Sequence, residues 1–338
     1  MVKLLQTLLT YKLKQPKASQ NSGGFTLIEL IVGLVLSLLV ILPLLGFMVN
    51  MLQTDRQEQA KASSEQEIQA ALSYISRDLE QAVHIYDGYG VDKIKANLPT
   101  PANSVPVLVF WKRQFVQKVI PTGGTEKDDA FTYALVAYYL KTPNNAECSS
   151  NAFNWSCTAQ ITRVLYRESV KNGKNAQGQD IIVDSGDSNF RNFGESAQQN
   201  NLAVTGVEDL MNAWTSPSID KSKDLQVLID YIDQTPIDTA GKCPSIQRAS
   251  APTGVLPATY NTAKYHQVPL PTAIGASGFY ACVDVENTTA QVFMRGNALA
   301  RLQKKTQPPT YVAAQSAYFP KASIQVKGRG LFSTKQAE

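Results

Sequence analysis

Hydrophobic positions fall into three regimes along the chain. From residue 25 to residue 52 they are nearly continuous, and the only polar side chains are Thr26, Glu29, Ser37 and Asn50. A helix of this length rises roughly 42 Å, enough to cross a bilayer. From residue 53 to residue 83 the composition turns to Gln, Glu, Asp, Lys, Arg and Ala, with no Gly or Pro. The apolar positions there are Ile68, Leu72, Ile75, Leu79 and Val83, spaced four, three, four and four, which is one face of a helix. Together these segments predict one helix from residue 25 to about residue 83. Its first half would face lipid or other subunits, and its second half would lay the stripe on a globular domain. Pro43 and Gly46 predict a kink or local melting near residues 39–46. The charges of the second half, Asp78 among them, read as a solvated face with local ion pairs.

Past Gly88-Tyr89-Gly90 the helical signal ends, and residues 91–106, with three prolines, read as loop. Strand-like runs rich in Val, Ile, Tyr and Phe follow at 107–111, 115–120, 131–141 and 161–168, with Pro121-Thr122-Gly123-Gly124 as a turn. Residues 169–275 are irregular and read as a large insertion across the sheet, with short helices near 207–214 and 223–233. Asp220, Asp224, Asp230 and Asp233 would form the wet face of the second helix. Strand signals resume at 279–285, 291–295 and 323–327, with Asn287-Thr288-Thr289 as a hairpin turn and a frayed tail from Gly328 onward. The expected fold class is α+β: a long N-terminal helix packed on an antiparallel sheet that carries an insertion. The domain reading is a leader at 1–24, a membrane or filament-core helix at 25–52, an amphipathic helix at 53–86 and a β-rich head at 87–338.

Charge refines this picture at the N-terminus. Residues 1–24 carry Lys3, Lys12, Lys14 and Lys17 and no acid. The whole chain is +4, so the remainder is formally neutral, and net charge gives no support to a nucleic-acid partner. Lysines before an apolar segment hold that end in the cytoplasm, which puts the head on the other side of the membrane. Glu29 is anomalous in this setting. A carboxylate within hydrocarbon costs about 2.5–3.5 kcal/mol even on lenient scales, so a partner that compensates the charge is expected.

Gly24-Phe25-Thr26-Leu27-Ile28-Glu29, followed by about twenty apolar residues, resembles the processing site of type IV prepilins and type II secretion pseudopilins. The resemblance implies a pilin-like fold and cleavage between Gly24 and Phe25 by a prepilin peptidase, with N-methylation of Phe25. It implies that Glu29 pairs with the terminal amine of a neighbouring subunit's Phe25 during assembly. The implied partners are other major and minor pseudopilins, an inner-membrane assembly platform and the membrane itself. Residues 73–82 on the helix are similar to minor pseudopilins of the J type and to the minor pilin W group. Residues 281–286 and 292–301, with the long leader, resemble pseudopilins of the cyanobacterial hormogonium polysaccharide secretion system. That likeness implies a minor subunit at or near a filament tip, supporting polysaccharide secretion and gliding motility, with polysaccharide as exported cargo. The implied location is a single-pass inner-membrane protein with its head in the periplasm, and later a periplasmic or extracellular filament. The alternative is a minor pilin acting as a tip adhesin or DNA-uptake module; a membrane-anchored enzyme is a third class.

The four cysteines, Cys148, Cys157, Cys243 and Cys282, lie beyond the membrane segment, where disulfides form. Three pairings are possible; Cys148–Cys157 and Cys243–Cys282 are favoured, the first closing a short loop. No catalytic residue, metal site or cofactor site is expected: the chain has no P-loop, dinucleotide glycine motif, nucleophile elbow or paired-histidine spacing. His84 and His266 are far in sequence from the cysteines, which disfavours zinc. Residues 184–189 faintly resemble a calcium loop but lack its ligand spacing and read as a solvated loop. Asn154 and Asn287 head N-glycosylation patterns.

Overall fold

The computed structural model describes residues 24–143, 157–199, 206–235, 243–244, 246, 263–270, 278–303 and 308–330. Two compact units divide at residue 55, Met1–Asp55 and Arg56–Glu338. The architecture is α+β and pilin-like: a long N-terminal helix followed by antiparallel sheets.

The helix α1 spans Leu27–Glu80. Its start is set by Thr26, whose carbonyl accepts from the Glu29 and Leu30 amides at 3.0 and 3.3 Å, groups with no partner inside the helix. Residues 39–46 are helical throughout, so the melting expected at Pro43 does not occur. Proline removes one hydrogen bond, and the turns on either side keep theirs. In the first unit every residue of α1 is exposed.

In the second unit α1 buries Ile68, Leu72, Ile75 and Leu79, the stripe read from the sequence, together with Ala60, Ser64, Ala71 and Asp78. Each large aliphatic side chain there contributes about 1.5–3 kcal/mol. The helix stops at Glu80, short of the expected Val83. Residues Ala82–Ile85 instead form β1, paired antiparallel with β2, with all four side chains buried. Burial on both faces of a strand outweighs a helical propensity that is never large per residue.

The glycine-rich segment after β1 is a second correction. Gly88–Ile94 is a helix, α2, capped by Asp87, whose carboxylate accepts from the Gly90 amide at 2.8 Å. Gly88 is required there, because a Cβ would lie 2.5 Å from the Gln267 carbonyl oxygen. Strand β2 then runs unbroken over Ser104–Pro121 and β3 over Lys127–Lys141. Next come β4, Ala159–Arg167; β5, Val170–Lys174; and β6, Asp180–Asp184. Short helices α3, Phe193–Gln199, and α4, Val207–Asn212, follow.

The helix expected at 223–233 is a strand, β7, over Gln226–Ile232, which pairs with β4. Its apolar spacing fits a helix, but pairing satisfies the backbone of both strands and buries Ile229 and Ile232. The chain continues with β8, His266–Val268; β9, Phe279–Asp284; β10, Thr289–Arg295; α5, Ala298–Leu302; and β11, Lys321–Lys327. Two antiparallel sheets result, ordered β1-β2-β3-β4-β7 and β11-β10-β9-β8, beside the β5–β6 hairpin. A bridge from Ile232 to Gly296 joins them at one place.

At another, the start of the tail expected to fray is pinned: the Arg329 and Gly330 amides donate to the carbonyls of Glu80 and Ala82, each at 3.0 Å, while 331–338 lie outside the described residues. One hydrophobic core collects the α1 stripe and the inner faces of both sheets.

Candidate functional site

The junction read from the sequence lies at the start of α1. Gly24, Phe25 and Thr26 are non-helical and exposed, and a Cβ on Gly24 would meet nothing. A peptide bond outside the helix is open to a peptidase that must bind an extended backbone. Glu29 sits exposed in the first turn, where the helix dipole favours an anion. Among the described residues no ion pair reaches it. From Leu27 to Leu52 the apolar surface is bare on all sides. Among the described residues this is the one helix long and apolar enough to cross a membrane. Exposed apolar surface on this scale marks a contact with lipid or protein.

Within the second unit, α1 is fastened to the sheets by polar contacts that sequence reasoning placed in solvent. Asp78 is buried, not part of a wet face. Its carboxylate accepts from Lys112 Nζ on β2 at 2.9 Å, from the Tyr138 hydroxyl on β3 at 2.7 Å and from Arg163 Nε on β4 at 2.8 Å. Burial alone pushes the Asp78 carboxyl up, but Arg163, Lys112 and Tyr138 outweigh it and hold it below the usual carboxylate range. A sign of this was present in the sequence: Asp78 lies three residues from Ile75 and one from Leu79, in phase with the buried face. Further toward the N-terminus of this unit, Arg301 of α5 pairs with Glu67, donates to Ser64 Oγ at 2.9 Å and lies 4.0 Å over the Tyr231 ring. The Tyr318 hydroxyl donates to Gln57 at 2.8 Å.

Residues 187–193 and 211–220, inside the expected insertion, pack on the five-stranded sheet through an aromatic cluster. Trp111 meets Trp214 and Phe193 edge-on, with centroids 5.5 and 5.2 Å apart. Trp111 Nε1 donates to the Tyr86 hydroxyl at 2.9 Å, which donates to the Met211 carbonyl at 2.9 Å. Beside this cluster Glu168 is buried, and burial together with nearby Glu195 pushes its carboxyl up. His84 is buried against Tyr86, and burial pulls its imidazole down to about 3.

The remaining candidates are placed as follows. The loop at 184–189 is half-exposed, and two of its acids are engaged: Asp184 pairs with Arg167, and Asp187 accepts the Arg167 amide at 2.7 Å and pairs with Lys223. Among the described residues no group of three or more side chains could hold a metal ion. The four aspartates expected on a helix are scattered. Asp233 is fully buried and bound to Arg295 Nε at 2.6 Å, Asp230 accepts from Thr158, and Asp220, which orders a turn through Ser222, and Asp224 are exposed but outside any helix. Cys243 and Cys282 form a disulfide. Cys157 is also disulfide-bonded, while Cys148 and Asn154 lie outside the described residues. The Asn287 amide is engaged with Asp284 at 2.7 Å.

Residues 19–45 match the prokaryotic N-terminal methylation motif. No curated protein and no solved structure matches the chain.

Proposed function

We propose that this chain, whose methylation motif supports a type IV pilin- or pseudopilin-like protein, is a minor subunit of a type IV pilus-like or type II secretion-like machine. The motif implies processing by a prepilin peptidase and assembly with other pilins in a membrane machine. The observation that carries the reading is the bare apolar surface of α1, from Leu27 to Leu52, directly behind an open Gly24–Phe25 junction. Cleavage there would create an amine at Phe25, and Glu29, which no cation meets among the described residues, is a carboxylate that such an amine would compensate. The helix leaves the membrane when its lipid contacts are replaced by the same helices of other subunits. The buried Asp78 cluster and the Arg301 clamp then transmit axial load from α1 to both sheets.

A position at or near the tip fits a head in which residues 187–193 and 211–220 add a layer to the sheet, since added bulk hinders repetition along a shaft. Polysaccharide as cargo and gliding as the physiological outcome rest on the sequence likeness alone. The test is intact-mass analysis of protein taken from membranes, wild type beside Gly24→Ala. A chain beginning at N-methyl-Phe25, lost in the variant, is the expected result. A chain beginning at Met1 in a host with active prepilin peptidase overturns the reading.

A further inference from the structure

Glu168 directly follows β4 and is almost wholly enclosed, at 6 % exposure. Its amide donates to the Tyr133 carbonyl at 3.0 Å, which sets it beside β3. One carboxylate oxygen accepts from Asn192 Nδ2 at 2.7 Å, and the other from the Thr132 hydroxyl at 3.4 Å. Both donors are neutral. Among the described residues no ion pair reaches Glu168.

Asn192 is buried as well, and it joins Glu168 to α3. Its Oδ1 accepts from the Glu195 amide at 2.8 Å, and its carbonyl accepts from the Ser196 amide at 3.1 Å. The residue that meets Glu168 therefore also starts the helix. Phe190 and Phe193, on either side of Asn192, pack on Trp111 with centroids 5.6 and 5.2 Å away. Glu168 thus lies under the point where this part of the insertion is fixed to the five-stranded sheet.

The charged groups on the neighbouring elements are already committed. Lys171 of β5 pairs with Glu195 and, at 3.0 Å, with Asp180 of β6. In the turn before α3, Asp187 pairs with Lys223, and Asp184 of β6 pairs with Arg167 of β4. Tyr133 of β3 contributes a ring packed on Phe193, with centroids 4.9 Å apart. A buried carboxylate held by neutral donors alone is more costly charged than protonated. Burial and the like charge of Glu195 push the Glu168 carboxyl up, and the bonds from Asn192 and Tyr133 and the charge of Lys171 offset only part of that.

We propose that Glu168 is a proton-operated latch: protonated, it holds Asn192 and α3 against the sheet, and on losing its proton it loosens them. When the segment lifts off, the carboxyl returns to water and to an ordinary value of about 4.3. The support for docking is therefore fully present below that value and is lost as pH rises through the higher docked value. This regulation goes beyond the filament reading and does not depend on cleavage at Gly24.

The test is hydrogen exchange by mass spectrometry on the full chain in detergent, with each rate taken against its intrinsic rate at the same pH. Protection of the Glu195 and Ser196 amides falls by about threefold or more between about pH 4 and about pH 8, while β9 and β10 stay level. Glu168→Gln keeps an acceptor for Asn192 but cannot ionise, and it abolishes the fall. Glu195→Gln removes the like charge and shrinks the fall, which keeps the test decisive if Glu168→Gln does not fold. Wild-type protection that is constant with pH overturns the latch. So does a fall that persists undiminished in a folded Glu168→Gln chain or in Glu195→Gln.

Discussion

Asp78→Asn isolates the charge on which the junction of α1 with the sheet depends. The substitution keeps the shape of the side chain and leaves Lys112 and Arg163 buried with no anion between them; their side chains are 8 % and 11 % exposed. Removing one member of a buried ionic cluster costs about 3–5 kcal/mol, because the remaining charges stay desolvated. Replacing all three, as Asp78→Leu with Lys112→Met and Arg163→Met, removes the charges together and costs less than Asp78→Asn alone.

The pH dependence gives a second check. Asp78 is held below its unfolded value, so its contribution is fully present above the unfolded carboxylate pKa of about 3.9 and is lost as pH falls through the lower folded value. The gap between wild type and Asp78→Asn therefore closes in acid, while every other titration cancels in the difference. Urea unfolding of the full chain in detergent, followed by the fluorescence of buried Trp111 and Trp214 in a Trp155→Phe background, measures that gap. A gap under about 1 kcal/mol at pH 7, or one that persists unchanged in acid, refutes the argument.

Two further outcomes are expected. His84 is kept neutral by burial, with its folded pKa near 3 against about 6.5 unfolded. The wild type therefore loses on the order of 4 kcal/mol as pH falls through that window, and His84→Phe flattens the decline in an acid titration of stability. Cys243→Ser with Cys282→Ser opens a loop spanning 39 residues, which the chain-entropy argument values at about 4 kcal/mol, read as a lower urea midpoint.

Legibility varied with the range of the interactions involved. The junction at Gly24 and Phe25, the apolar run and the stripe Ile68–Leu72–Ile75–Leu79 are local patterns, and a helix makes local patterns visible because its hydrogen bonds close within four residues. Strands β3, β9 and β10 were readable for a similar reason, from β-branched and aromatic runs between turns. The segment at 226–232 was not. Its spacing suits a helix, and only the open edge of β4, some sixty residues away in sequence, makes it a strand. The same holds for Asp78, Asp233 and Asp187, each solvated by the logic of composition and each buried or paired by a cation from a distant element. The sequence by itself showed the methylation motif at residues 19–45 and the apolar run that is long enough to cross a membrane. Tertiary structure decided which charges are buried and that residues 226–232 are a strand, because both depend on what the rest of the chain brings alongside.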